Sequence, residues 1–292
     1  MRLLVTGGSG FLGGYVLREA ARRGHQSVAL SRSAAAAGIV AGLGAQPVTG
    51  DLDRPAELGD VFAAARCDAL VNLVSLGFGH APVIVAAAAA AGIDRAIFVS
   101  TTAVTTALPA PTKQVRLAAE QQIDASELAW TIVRPTMIYG APGDRNLSRL
   151  LALLARVPVL PVPGGGRHLQ QPVHVADVAA AVLTAAERPE AARRRYDVAG
   201  PEPLSFASLL RIAAGAVSSR TRFFPVPLAP VIAAARGYEQ LGRHPRIRTE
   251  QLRRLAEDKV FAIDSAVCDL GFAPRPFPVG IRAEALAMGL AR

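Results

Sequence analysis

The chain has 292 residues, 51% of them hydrophobic, with a mean hydropathy of +0.30, which is enough to bury a sizeable core in one large α/β domain or one with a smaller appended lobe. No uncharged apolar run reaches the roughly eighteen residues of a membrane-spanning helix, the apolar segment at the N-terminus is too short for a secretory leader, and two cysteines, Cys67 and Cys268, give neither a disulfide framework nor a metal cluster. The net charge of +9 comes from arginines scattered along the chain, whose densest run, Arg193 to Arg195, falls on an apparent loop without interleaved aromatics, so the expectation is a cytoplasmic protein with an anionic cofactor and with no metal, nucleic-acid partner or membrane insertion.

Strand-like and helix-like segments alternate from the start. Leu3–Thr6 reads as a strand and Gly13–Arg23 as a helix, then Ser27–Leu30 as a strand, Ala34–Leu43 as a helix and Gln46–Thr49 as a strand. Helices over Pro55–Ala65, Pro82–Ala91 and Thr112–Ser126 alternate with strands over Ala69–Val74, Ala96–Ser100 and Thr131–Arg134. This alternation predicts a doubly wound parallel sheet with helices on both faces and right-handed crossovers. After Arg134 prolines and glycines break the pattern. Helices are expected over Asp177–Ala186, Ser205–Ala216, Leu228–Arg236 and Thr249–Glu257, with strands at Tyr196–Ala199 and Phe223–Val226. Arg236–Arg248 lacks periodicity and reads as the most mobile stretch. The expected organisation is a Rossmann core over residues 1–134 and a small α/β substrate lobe over 135–292, with segments of the latter returning to the core.

The most informative segment is the first turn. An apolar strand runs into Thr6, Gly7, Gly8, Ser9, Gly10, Phe11, Leu12 and Gly13, and a helical pattern begins at once. Strand, glycine-rich turn and helix form a cradle for a dinucleotide pyrophosphate, because glycines let the backbone approach the phosphates and the helix N-terminus offers unpaired N–H groups. Thr6, Gly7, Ser9, Gly10, Phe11 and Leu12 are therefore expected to bind cofactor. The second strand ends Ala29-Leu30-Ser31-Arg32-Ser33 with no acid to hold ribose hydroxyls, whereas Arg32, flanked by the hydroxyls of Ser31 and Ser33, is placed to pair with a 2′-phosphate. This favours NADP(H) over NAD(H).

With these motifs the chain resembles the short-chain dehydrogenase/reductase superfamily in its extended and atypical branches, over nearly its whole length. Thr6–Gly13 is similar to the extended family's glycine motif. Gly50-Asp51-Leu52 resembles the segment whose Asp contacts adenine, although Asp51 also stands where it could cap the helix that begins at Pro55. Asn72-Leu73-Val74-Ser75 resembles the cofactor-lining stretch after the fourth strand, and Arg134-Pro135-Thr136-Met137-Ile138-Tyr139-Gly140 the segment beside the nicotinamide. Val173-His174-Val175-Ala176-Asp177 is similar to the substrate-lobe signature, in which His174 is structural, and Tyr196–Gly200 to the strand after it. The resemblance implies cofactor contacts from Asp51, Leu52, Leu73, Val74, Ser75, Pro135, Met137 and Ile138.

The superfamily's chemistry departs here from its usual residues. Its Tyr-x-x-x-Lys pair puts an acid and its pKa-lowering partner on one helix face, yet none of the four tyrosines is followed by lysine at that spacing. Counting back from Glu120 puts Arg116 at the Lys position and Thr112 at the Tyr position. Arginine still bonds a ribose but shuttles no proton, and a threonine hydroxyl is far less acidic than a phenol. Thr102 matches the family's third member. Tyr139, beyond the sixth strand, and His80, on the loop after the fourth, are further candidates for proton transfer. The expectation is an NADP(H)-dependent reductase acting on a small, fairly apolar carbonyl or activated alkene, as monomer or homodimer, with Leu76–Phe78 and Phe223–Val226 as apolar loops. The alternatives are a non-catalytic NADP(H)-binding protein, such as a redox sensor or accessory subunit, and an epimerase or cyclase.

Overall fold

The structure, a computed structural model, describes residues 1–108, 111–140, 143–144, 146–241 and 257–291. In chain order the first half reads β1 (Arg2–Thr6), α1 (Phe11–Arg22), β2 (Gln26–Ser31), α2 (Ala34–Ala41), β3 (Gln46–Thr49), α3 (Pro55–Ala65), β4 (Ala69–Asn72), α4 (Ala81–Ala90), β5 (Arg95–Val99), α5 (Pro111–Asp124) and β6 (Ala129–Pro135). Next come β7 (Ile138–Tyr139), α6 (Leu147–Leu154), β8 (Val159–Pro163), β9 (Leu169–Gln170), β10 (Val173–His174), α7 (Val175–Glu187), β11 (Arg194–Val198), β12 (Leu204–Ser205), α8 (Phe206–Ala216), β13 (Arg222–Val226) and α9 (Leu228–Leu241). The helices α10 (Asp264–Leu270) and α11 (Phe277–Ala287) come last. Two compact units result: residues 1–136 with 175–199 and 262–273, and residues 137–174 with 200–261 and 274–292.

The first unit is built on a seven-stranded parallel sheet in the order β11-β6-β5-β4-β1-β2-β3. Side chains alternate between its faces. Leu4, Leu70, Phe98 and Ile132 pack with Phe62 of α3, Ile84 of α4 and Ile123 of α5 in one core cluster. Their strand neighbours Leu3, Val71 and Ile97 are equally buried but lie outside that cluster, and α1 packs with α7. Each fully buried Leu or Phe contributes about 1.5–3 kcal/mol of burial free energy. The strand order reverses between β1 and β4, which opens a crevice at their carboxyl ends. Arg193 stands in a turn with a φ of +57°, but the other two arginines of the run are part of the sheet, contrary to the loop expected. Arg194 and Arg195 lie on the edge strand β11, where Arg194 pairs with Asp269 at 2.9 Å, and Arg195 pairs with Asp124 at 3.0 Å and covers the Trp130 ring. Their charge is answered by acids of the same unit rather than displayed as a basic patch.

Among the described residues the second unit carries three two-stranded ladders, β7–β10 and β8–β13 parallel and β9–β12 antiparallel. Its core joins Leu147, Leu151 and Leu154 of α6 to Leu209 of α8 and to Phe277 and Ile281 of α11. The strand expected at Phe223–Val226 is present as β13, so these apolar residues are paired with β8 rather than forming a loop. Tyr139 is fully buried in this core, its ring edge-on to His174 and Phe277 at centroid distances of 5.3 Å. A Cβ on Gly280 would lie 2.1 Å from the Tyr139 hydroxyl oxygen, so α11 admits this tyrosine only because residue 280 is glycine. The helix expected over Thr249–Glu257 lies outside the described residues except for Glu257, as does most of Arg236–Arg248, whose first six residues end α9.

A buried carboxyl pair links α11 to the start of α6. Asp144 accepts from the backbone N–H groups of Asn146 and Leu147 at 2.8 Å and of Ser148 at 3.0 Å. Glu284, only 1% exposed, is pushed up to about 8, first by burial and then by the neighbouring Asp144 carboxylate. The folded chain therefore favours neutral Glu284. Its contribution to stability is full below the ordinary value of 4.5, declines as pH rises, and is lost above about 8. We expect Glu284→Gln, which stays neutral, to melt increasingly above the wild type as pH rises from 5 to 9. The difference should reach several degrees by calorimetry, and a gap that does not change with pH would contradict the assignment.

Candidate active site

The glycine turn has the geometry its sequence implies. Gly7 adopts a φ of +75°, and a Cβ there would lie 3.1 Å from the backbone of Leu73 and Val74. Gly10 donates to the Gly7 carbonyl at 3.0 Å, and the first helical hydrogen bond of α1 runs from Gly14 to Gly10. The N–H groups of Phe11, Leu12 and Gly13 thus stand ahead of the helical ladder, at its positive end. A Cβ on Gly13 would lie 2.3 Å from the Gly7 carbonyl oxygen and 2.5 Å from that of Gly8, so only glycine lets α1 sit this close to the turn. Beneath it, the buried Thr6 hydroxyl donates to Asn72 Oδ1 at 2.6 Å and Asn72 Nδ2 donates to the Val74 carbonyl at 3.1 Å, which ties the ends of β1 and β4 together.

These groups open onto a cavity of about 410 Å³ within the first unit. Ten of the residues expected to hold cofactor line it: Thr6, Gly7, Ser9, Gly10, Arg32, Asp51, Leu52, Leu73, Val74 and Ser75. Phe11 and Leu12 open α1 beside it, and Ser31, buried, turns its hydroxyl to the Ala29 carbonyl of its own strand at 3.3 Å. Ser33 caps α2 by accepting from Ala36 N–H. Asp51 caps no helix, because Arg54 occupies the N-cap position of α3, and its Oδ1 accepts instead from Asp53 N–H at 3.1 Å. Pro135, Met137 and Ile138 do not line this cavity; Pro135 is buried at the end of β6, and Met137 packs against the Tyr139 core of the second unit. Asp53 and Phe78 line the cavity but escape the sequence motifs. Their only signal is adjacency, Asp53 two residues past Asp51 and Phe78 two before His80. Leu76–Phe78 forms a single 3-10 turn whose Leu76 is in the core, while Phe78 is exposed at the cavity.

The four candidates for chemistry go to four different places. His80 lines the cavity, but its Nε2 lies 2.9 Å from Asp53 Oδ1. It faces the loop after β3, on the side of the sheet that holds the adenosine half of a dinucleotide. Tyr139, fully buried, shows no surface to a substrate. Thr102 is 6% exposed and donates to the Pro135 carbonyl at 3.4 Å. Ser100 before it donates to Glu120, which also pairs with Arg134, so that part of α5 is anchored to β5 and β6. Of the four, Thr112 alone is an exposed residue. Arg116 Nη1 donates to its Oγ1 at 2.7 Å, and both side chains lie against Gly77, within 3.3 Å of where its Cβ would be, between the cavity residues Ser75 and Phe78.

Residues 7–189 match a family described as NAD(P)H-binding. The chain belongs to this NAD(P)H-binding family. At the level of the family it stands among NAD(P)-dependent reductases. A ketoreductase of Stigmatella aurantiaca that acts on a farnesylated 3-oxo-dihydroquinoline oxide is 30% identical, over 94% of this chain and 92% of that protein. A 2-alkyl-3-oxoalkanoate reductase of Stenotrophomonas maltophilia is 32% identical, over 75% of this chain and 76% of that one. Among solved structures, a UDP-glucose 4-epimerase from Stenotrophomonas with bound NAD superposes with a TM-score of 0.77 over 99% of this chain and 98% of that chain, at 18% identity, a likeness of fold. Among the described residues no helix is long and apolar enough to cross a membrane, and no group of side chains has the makings of a metal site.

The residues of the NAD(P)H-binding family's turn fit the dinucleotide. The cradle at Gly7 and Gly10 is one that side chains would fill, and the N-terminus of α1 supplies donors for a pyrophosphate. We expect Gly13→Ala to force α1 off the turn, lowering stability by about 2 kcal/mol or more in urea unfolding. The same variant should weaken dinucleotide binding at least tenfold by fluorescence titration; an alanine accepted without either effect would contradict the close packing of α1 on the turn.

Proposed function

We propose that the chain is an NADP(H)-dependent reductase of a fairly apolar carbonyl compound, in which the Thr112–Arg116 pair takes the place of the superfamily's Tyr/Lys pair. The observation that carries the cofactor assignment is Arg32. It lies one residue beyond β2, lines the cavity, is exposed, and forms no ion pair among the described residues, while β2 ends without a carboxylate. A guanidinium left open beside a nucleotide cavity suits a phosphate on the adenosine ribose, which it can bind through two parallel hydrogen bonds. The carbonyl reading draws on two relatives whose names make them reductases of 3-oxo compounds, one carrying a farnesyl and the other an alkyl substituent.

When bound, NADPH supplies a hydride to the substrate carbon. The protein's share is orientation of the ketone and stabilisation of the charge that grows on its oxygen. Arg116 donates to Thr112 Oγ1, so the threonine's own proton is free for a substrate oxygen, and the guanidinium beside it strengthens that donation. The proton that completes the alcohol comes from water, because a threonine hydroxyl does not ionise near neutral pH. Thr102 and Tyr139 serve the fold in this mechanism. A second reading, binding without turnover, rests on the replacement of the phenol and the lysine by Thr112 and Arg116.

Titration with NADPH and NADH tests the cofactor reading: wild type should prefer NADPH, and Arg32→Ala should weaken NADPH about tenfold while leaving NADH within twofold. Equal affinities in the wild type would reject it. Nicotinamide absorbance, followed with aliphatic and prenylated ketones, tests the chemistry. Thr112→Val should lower kcat about a hundredfold and Arg116→Met about tenfold, with NADPH affinity within threefold. Tight NADPH binding with no oxidation across a broad carbonyl panel would favour the second reading.

A further inference from the structure

The crevice that Arg32 opens to a phosphate also contains two carboxylates. Asp51 and Asp53 line it from the loop after β3, Arg32 from the end of β2 and His80 from the loop after β4, and the glycine turn contributes no charge. The first two loops are neighbours. Ser31 pairs with Thr49 in the β2–β3 register, and Gly50 N–H donates to the Ser31 carbonyl at 3.3 Å, so Arg32 and the segment Gly50–Asp53 leave adjacent strand ends. Asp51 is fixed by its bond from Asp53 N–H. The Asp53 side chain is 71% exposed, and what holds its carboxylate is His80, whose Nε2 lies 2.9 Å from Oδ1.

We propose that His80 is a positioning residue for cofactor selectivity: it holds the Asp53 carboxylate across the loop, away from the place where Arg32 meets the 2′-phosphate. The inference rests on the assignment of Arg32 to that phosphate. Released from His80, the Asp53 carboxylate can turn toward Arg32, and it then both repels a 2′-phosphate and occupies the guanidinium that should bind it. NADH, which has hydroxyls there, suffers neither penalty. His80 acts through Asp53 and needs no contact with substrate, which accounts for a histidine that lines the cavity on the adenosine side.

His80 occupies the N-cap position of α4, but its side chain makes no capping bond, so its replacement leaves the helix end as it was. The experiment compares NADPH and NADH dissociation constants for wild type, His80→Ala, Asp53→Asn, the double variant and His80→Gln, with melting temperatures alongside. His80→Ala should weaken NADPH about fivefold and NADH less than twofold. Adding Asp53→Asn should restore NADPH affinity to within twofold of wild type, because an amide has no charge to misplace. His80→Gln, which retains a donor for Asp53, should stay close to wild type. Loss of affinity for both dinucleotides alike, or no rescue by Asp53→Asn, would overturn the proposal while leaving Arg32 in place. Wild-type protein with no preference for NADPH would remove the Arg32 assignment, and this one with it.

Discussion

A methyl group has no room at residue 13. The backbone oxygens of Gly7 and Gly8 stand where an alanine Cβ would go, at 2.3 and 2.5 Å, and the rest of the site depends on this close approach of α1 to the first turn. It aims the free N–H groups of the helix into the crevice between β1 and β4. It brings the turn against the backbone of Leu73 and Val74, and the Thr6–Asn72 hydrogen bond secures the two strand ends below. Arg32, Asp51 and Ser75 then reach the same cavity from three strand ends because the sheet order reverses at that point. A pyrophosphate cradle here is a consequence of backbone packing, and the side chains around it decide only which dinucleotide fits.

Binding and chemistry have come apart in this chain. The groups that line the cavity stay in the places that strand ends dictate, whereas other candidate hydroxyls have structural partners. Thr102 bonds a backbone carbonyl, Ser100 bonds Glu120, and Tyr139 fills the core of the second unit beside a glycine that makes space for it. The Thr112–Arg116 pair retains the spacing of four that puts two side chains on one helix face, and it retains solvent access.

The first unit was legible because its cues are local. Short apolar runs, helices of regular length and a glycine turn in strand–turn–helix context depend on neighbours in sequence, and the expected elements differ from those observed by one or two residues at most of their ends. The second unit was harder to read. Leu147, Leu150, Leu151 and Leu154 carry a helical spacing, but prolines on both sides mark chain breaks, and Pro276 and Pro278 obscure α11 in the same way although proline is at home in a first helical turn. Contacts at the candidate site have a different origin. His80 meets Asp53, 27 residues away, and Tyr139 fits against Gly280. No period or spacing reports such contacts, because they are made by the fold.

The order in which the chain completes its sheet has a consequence for synthesis. Six of the seven strands lie within the first 135 residues, but β11, which covers the outer edge of β6, ends at Val198, and α7, which packs against α1, begins only at Val175. A nascent chain therefore carries a bare strand edge and an uncovered sheet face while the intervening segment is translated. At about 5–20 residues per second that interval lasts several seconds. The charged run at Arg193–Arg195 then arrives as the last strand to dock, and a basic edge paired with Asp124 and Asp269 is a poor template for another chain's strand.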